Sequence, residues 1–184
     1  MPEDEPPQFR RMVAADLSRP DVVNFRCGEE PWADKVADEL RSGRVWLERK
    51  QRSTKTHLYC ADGGDGEVIG FATVGKKTIA TVEEDGEAGQ IRTMHIAWFA
   101  VAEGHQGNQP GGKHADNMMA ELTGMAIEEG LEGFSAFVDS RNERAIRFWQ
   151  KYLTPVPNYQ PHVDADGSRN VLLYVAFPSL GASV

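Results

Sequence analysis

The chain has 184 residues, enough for one domain with a sizeable core and short for two. Its 20 Lys and Arg against 28 Asp and Glu leave a net charge of −8, which argues against broad nucleic-acid affinity while leaving room for a local basic patch. A composition of 40% hydrophobic and 26% charged residues is that of an ordinary globular protein, and no apolar run approaches the ~18 residues that span a bilayer.

The opening "MPEDEPPQF" is acidic and Pro-rich, the reverse of a secretory or transit signal. Residues 1–8 therefore read as a flexible lead-in, and the cytoplasm as the address. "QFRRMVAAD" reads as a first strand. "EEPWADKVADELRSG" reads as a helix, with Pro31 in its first turn, acids at its start and Gly43 closing it. "KTHLYCAD" and "EVIGFATVG" are β-rich runs separated by "GGDG", a hairpin signature. The acidic "TVEEDGEAGQ" predicts a loop, and "RTMHIAWFAVA" a buried strand. From Gly111 to about Glu129 a helix is expected, with Ala115, Met118, Met119, Leu122 and Ala126 at helical spacing. "GFSAFVDS" is a further strand. "NERAIRFWQKYL" is a short amphipathic helix with Ala145, Ile146, Phe148 and Trp149 inward. "VPNYQPHVDADGSRNVLLYVAF" reads as a hairpin over "DADG". No repeat or linker divides the chain, so residues 9–180 are expected to form one domain around a mixed α/β sheet.

Two cysteines, Cys27 and Cys60, are too few for a disulfide framework and lack metal-site spacing. They read as buried or half-buried free thiols. The five histidines contain no H-x-x-x-H or H-E-x-x-H pair, so no metal is expected.

Residues 100–122, "AVAEGHQGNQPGGKHADNMMAEL", place glycines between a strand and a helix. A helix N-terminus offers unpaired N–H groups and about half a positive charge, and glycines let the backbone approach a ligand closely. Such a turn can hold a phosphate without basic side chains. About thirty residues on, "VDSRNERAIRFWQKY" supplies a second motif.

Together, "FAVAEGHQGNQPGGKHADNMM" and "VDSRNERAIRFWQKY" resemble the GNAT N-acetyltransferase superfamily over residues 95–153. That family's pattern is a strand ending near Val, then Q/R-x-x-G-x-G/A opening a helix, then N-x-x-A-x-x-F-Y on a second helix. Val101, Gln106, Gly111, Asn142, Ala145 and Phe148 match it. The resemblance implies an α/β (α+β) fold with a mixed, mostly antiparallel six- to seven-stranded sheet and about four helices. It also implies acetyl-CoA as cosubstrate and no metal. The pantetheine arm would lie along Phe99, Ala100 and Val101. The diphosphate would lie at Gln106, Gly107, Asn108, Gln109, Gly111, Gly112 and Lys113, with Asn142, Phe148 and Trp149 on the second motif. Gln109 replaces the family's middle glycine, which a negative φ tolerates. Pro110 lacks an N–H but suits a first helical turn. Lys113 reads either as a phosphate contact or as a solvated lysine.

Most relatives carry a Tyr seven residues after the motif's Asn as the acid that protonates the departing sulfur. Here that position is Trp149, whose indole N–H is no useful proton donor. Tyr152, one turn further on, reads either as the candidate acid or as a residue packed against the sheet, and Tyr159 is a more distant candidate. Eleven residues before Gln106, where the histone-acetylating branch has a Glu base, stands His95. A His of ordinary pKa near 6.5 suits that task, and the alternative is a hydrogen-bonded strand histidine. The resemblance assigns the oxyanion to the backbone N–H of Val101. His105 and His114 read as surface or ligand-adjacent.

The acceptor is less constrained. A primary amine of a small molecule or peptide is the first reading, and a homodimer is common in the family. "NFRCGEEPWADKVADEL" resembles, more loosely, the start of toxin-type acetyltransferases that acetylate aminoacyl-tRNA. Residues 41–55, "RSGRVWLERKQRSTK", form a basic island that fits either an RNA-contacting edge or a solvated face. A CoA-binding module with little turnover is the third reading, on account of Trp149.

Overall fold

Period-two alternation and β-branched residues set the strands, and Pro20, Pro31 and Asn142 start three of the helices. In the computed structural model, which describes residues 5–43, 54–82, 88–107, 113–156 and 169–177, the strands are β1 (Gln8–Arg11), β2 (Lys55–Cys60), β3 (Val68–Val82), β4 (Ala88–Val101), β5 (Gly133–Asp139), β6 (Thr154–Pro155) and β7 (Asn170–Ala176). The helices are α1 (Pro20–Val23), α2 (Pro31–Arg41), α3 (His114–Glu128) and α4 (Glu143–Trp149), with 3-10 turns at Ala14–Ser18, Asp62–Gly64 and Glu103–His105. The strands hydrogen-bond in the order β1-β2-β3-β4-β5-β7-β6. Pairs β1–β2, β2–β3, β5–β7 and β6–β7 are antiparallel, and β4–β5 is parallel. Among the described residues the fold is a mixed, mostly antiparallel sheet with four α-helices, in keeping with what the resemblance implied.

The chain groups into two compact units, Met1–Gly75 with Ala97–Met125, and Lys76–Ile96 with Ala126–Val184. In the first, β2 alternates between two apolar clusters. Leu58 and Cys60 join Met12, Val22, Phe25, Ala37, Leu40, Phe71 and Ala100, whereas Tyr59 joins Ile69, Val101 and Met118. Pro31 begins α2, and Gly43, at φ +70°, ends it as expected. The β2–β3 connection closes through Ala61 N–H donating to the Glu67 carbonyl at 3.0 Å. Cys60 is buried and Cys27 half-buried, both as free thiols.

The first strand is shorter than the expected "QFRRMVAAD". Asp16 turns back on the chain, accepting from Arg10 at 2.9 and 2.6 Å and from the Val13 N–H at 2.7 Å, so a 3-10 turn replaces the strand after Arg11. The Arg10 guanidinium outweighs the desolvation of the buried Asp16 carboxyl and holds it below its ordinary value. A carboxyl depressed in the folded state stabilises above its unfolded pKa near 3.8, and that stability is lost as pH falls through the folded value. Denaturant titrations below pH 4 should therefore show wild-type stability converging on that of Asp16→Asn. A constant gap at all pH values would refute this role.

In the second unit, β4 pairs with β5 in the register Thr93↔Gly133 to Ile96↔Ala136, and β5 with β7 from Gly133↔Ala176 to Asp139↔Asn170. The acidic "TVEEDGEAGQ" is not all loop. Thr78, Ile79, Thr81 and Val82 favour extended backbone, so β3 runs on to Val82 and β4 starts at Ala88. The terminal hairpin keeps Thr154↔Tyr174 and Pro155↔Leu173 as its described pairs, and its "DADG" turn lies outside the described residues. α4 ends at Trp149 rather than near Leu153, where Tyr152 and Leu153 N–H groups both turn back to the Trp149 carbonyl.

Candidate active site

In the first unit, β4 ends at Val101, whose side chain packs with Tyr59, Ile69 and Met118, while half-buried Phe99 and Ala115 close the same cluster. Ala100 faces the opposite cluster. The chain then leaves the sheet in a defined way. Ala102 N–H donates to the Ile69 carbonyl at 2.7 Å, and Glu103 N–H to the Arg26 carbonyl at 2.8 Å. The Gln106 carboxamide donates from Nε2 to the carbonyls of both Val101 and Cys27, each at 2.7 Å. The motif's glutamine thus braces the turn against the strand end and the segment before α2. Gly107 follows at φ +84°, a left-handed conformation that favours glycine, and an added Cβ there would meet nothing within 4 Å. That open, braced backbone fits the approach of a diphosphate.

Asn108, Gln109, Gly111 and Gly112, with Pro110, lie outside the described residues, as does the expected start of the helix at Gly111. Lys113 is exposed, and its carbonyl accepts the Asn117 N–H at 2.8 Å as α3 begins. Met118, Met119, Leu122 and Ala126 are buried along α3, as their spacing predicted. The His114 ring lies edge-on to Tyr59 at 6.1 Å and to His105 at 5.7 Å. Burial first, then His105, lowers its pKa. His105 Nε2 is 3.8 Å from the Glu67 carboxylate.

In the second unit, His95 is half-buried on β4. Its Nδ1 lies 3.0 Å from Ser135 Oγ on β5, and its ring meets Phe137 edge-on at 5.2 Å. Ser135 Oγ lies 2.7 Å from Thr93 Oγ1, which donates to the Lys77 carbonyl at 3.0 Å. The Lys77 ammonium sits 4.0 Å above the Phe137 ring. Burial, with the Lys77 charge second, pushes the His95 pKa down to about 4. The ordinary value near 6.5 expected from sequence is therefore displaced, and the ring is neutral at pH 7. Thr93, Ser135 and Lys77 lie outside both sequence motifs. Their signal was a polar residue beside apolar neighbours, Thr93 before Met94 and Ser135 between Phe134 and Ala136.

The second motif lies in the same unit. Asn142 Oδ1 accepts the Ala145 N–H at 2.9 Å, which makes Asn142 the N-cap of α4. Such caps contribute ~1 kcal/mol. Trp149 is buried, at 7% exposure, so the family's Tyr position is filled here by a packed indole. Half-buried Phe148 lies 5.1 Å from Trp149 and 5.4 Å from the Tyr152 ring. Tyr159 lies outside the described residues. Among the described residues, no group of three His, Cys, Asp or Glu side chains is placed to hold a metal, and no helix is long and apolar enough to cross a membrane.

The Acetyltransferase (GNAT) family profile matches residues 20–153, well over half of the chain. No curated protein matches. Among solved structures, a Tyr-to-Phe mutant of the toxin AtaT, bound to the C-terminus of the antitoxin AtaR and acetyl-CoA, aligns with TM-score 0.57 and 16% identity over 94% of each chain. AtaT complexed with acetyl-methionyl-tRNAfMet aligns with TM-score 0.60 and 16% identity over 92% of this chain and 94% of that one. A Tyr-to-Phe mutant of KacT aligns with TM-score 0.61 and 13% identity over 94% and 95%. At these identities the likeness is one of fold. The profile match, on that fold, makes the chain a member of the GNAT acetyltransferase family, an acyl-CoA-dependent N-acetyltransferase with acetyl-CoA as cosubstrate.

Proposed function

We propose that this chain, as a single cytoplasmic domain over residues 9–180, acetylates a primary amine of a small molecule or peptide. The observation that carries the reading is His95, neutral and half-buried, anchored through Nδ1 at the position where the resemblance puts the Glu base of the histone-acetylating branch. The ammonium first loses a proton to bulk solvent; the free amine's lone pair then attacks the thioester carbonyl, and the adduct's N–H is far more acidic than the starting ammonium. An imidazole of low pKa can take that proton, where it could not deprotonate a free ammonium. By resemblance, the main-chain N–H of Val101 faces the oxyanion. Tyr152 is the proposed acid for the departing sulfur, a thiol with an ordinary pKa near 8.5. The diphosphate falls to the turn from Gln106 to Lys113, including Asn108, Gln109, Gly111 and Gly112. Phe99, Ala100, Val101, Asn142, Phe148 and Trp149 are the remaining proposed contacts. The net charge of −8 favours approach of a cationic amine. A homodimer is proposed with it, to be checked by light scattering.

A second reading is acetylation of aminoacyl-tRNA, favoured by the shared fold with AtaT, which has been solved with acetyl-methionyl-tRNAfMet. Residues 44–53 of the basic island lie outside the described residues. A thiol-release assay with acetyl-CoA against an amine panel and charged tRNA separates the readings. Turnover with simple amines is expected, and turnover with charged tRNA alone would transfer the assignment to the second. Calorimetric acetyl-CoA binding without any turnover would leave a binding module. Trp149→Tyr would then be tested for a gain in rate.

Gln106→Leu tests the brace. It deletes two hydrogen bonds of ~1 kcal/mol each, those from Nε2 to the Val101 and Cys27 carbonyls. Acetyl-CoA binding by calorimetry should weaken about tenfold with the fold retained. An unchanged Kd would remove the turn from the cosubstrate site.

A further inference from the structure

Three side-chain contacts link the His95 ring to the Lys77 carbonyl. Thr93 Oγ1 has one hydrogen, and its neighbour at 3.0 Å is the Lys77 carbonyl, which only accepts. That hydrogen is spent there. Toward Ser135, at 2.7 Å, Thr93 can then only accept, so the Ser135 hydroxyl donates to it. Ser135 has no second hydrogen, so toward His95 Nδ1 at 3.0 Å it can only accept. Thr93 and Ser135 are both fully buried, so neither can exchange a partner for water without cost. Every proton in the row therefore points the same way, from the imidazole to a main-chain oxygen. The opposite tautomer would place two acceptors against each other at one of the three contacts.

We propose that Thr93 and Ser135 are positioning residues that fix neutral His95 as its Nδ1–H tautomer, leaving Nε2 as the ring's bare acceptor. No covalent step is involved. The row is a ratchet of hydrogen-bond polarity that starts at the Lys77 carbonyl. Its catalytic consequence rests on the reading of His95 as proton acceptor, since only a bare Nε2 lone pair can receive the amine proton. The flanking groups that face His95 agree with a neutral ring. Ser135 and Phe137 reach it from β5, and the charge of Lys77 from β3 disfavours an imidazolium.

The tautomer is read directly by ¹⁵N–¹H correlation spectra of the full-length protein with labelled histidine at pH 7. Wild type should show a pyrrole-type Nδ1 and a pyridine-type Nε2 at His95. Thr93→Val keeps the shape but removes the acceptor, which frees the Ser135 proton to donate to Nδ1, and the spectrum should move toward Nε2–H. Thr93→Ser should restore the wild-type pattern. Ser135→Ala is the second variant, and should also lose the fixed tautomer. The amide spectrum shows which variants are folded, and the wild-type assignment stands as a test by itself. A wild-type Nε2–H ring, or a spectrum unmoved by both Thr93→Val and Ser135→Ala, would overturn the proposal. With the amine identified by the panel, kcat should fall about fivefold in Thr93→Val, with the KM for acetyl-CoA unchanged, and recover in Thr93→Ser. Should the tautomer behave as stated while His95→Ala keeps full turnover, the lock stands and the catalytic reading of His95 falls.

Discussion

His95→Ala is expected to lower kcat by about 10²–10⁴-fold, the span that a positioned proton acceptor contributes. Acetyl-CoA affinity should hold, because the proposed diphosphate contacts run from Gln106 to Lys113. The pH profile gives a second, independent reading. Burial and Lys77 hold the folded pKa of His95 at about 4, so the neutral form dominates well below pH 6. The His95 limb of kcat/KM should therefore rise with pH through about 4 and be flat across 6.5. A limb centred near 6.5 would mean a ring exposed to water during turnover. The same shift affects stability. Between about 4 and 6.5 the unfolded chain binds a proton that the folded one refuses, so stability from this group is complete above 6.5 and falls as the solution is acidified toward 4. His95→Phe should lose that slope in denaturant titrations while retaining ring packing on Phe137. Equal kcat in wild type and His95→Ala would end the base assignment.

Gly133→Ala is expected to cost stability on the order of 3 kcal/mol, at the upper end for an overpacked position. A Cβ at Gly133 would stand 1.9 Å from the Val175 carbonyl oxygen, 2.9 Å from its carbon and 3.0 Å from Ala176 Cα. These are backbone atoms of β7, which no rotamer change can move. The strand must shift, against the Gly133↔Ala176 pairing and the Phe177 N–H to Glu132 carbonyl bond at 2.7 Å. For a chain of this size that loss lowers Tm by about 10 °C. The damage also reaches the chemistry, because β5 delivers Ser135 to His95 two residues further on. A Tm within a degree or two of wild type would show that β7 yields more easily than its pairing implies. Gly70 makes a milder contrast. A Cβ there would lie 2.5 Å from the Ala100 carbonyl oxygen but only 3.0 Å from the flexible Met118 Sδ, so part of that strain can relax.

Much of this protein was legible along the chain because the signals are local. Alternation in "KTHLYC" sorts Leu58 and Tyr59 onto opposite faces, and Pro31 and Gly43 bound a helix between them. Asn142 caps α4 three residues from its partner. Strand ends are less local. "QFRRMVAAD" lost its second half to the Asp16 turn, and the "KKTIATV" stretch stayed extended despite its acidic neighbours.

The chemistry of the site was decided by contacts between distant residues. Gln106 is a motif residue by sequence, yet its role as a brace comes from the Cys27 carbonyl, 79 positions away. His95 was located by its spacing from Gln106, but its proton is governed by Ser135, 40 positions on, and by Lys77 on the preceding strand. Local signals set the order of the strands and the longer helices and revealed the family, because turns, caps and periodicity act within a few residues. Tertiary structure alone decided the charge and hydrogen-bond polarity of His95, because desolvation and proton placement depend on which atoms the folded chain brings within about 3 Å.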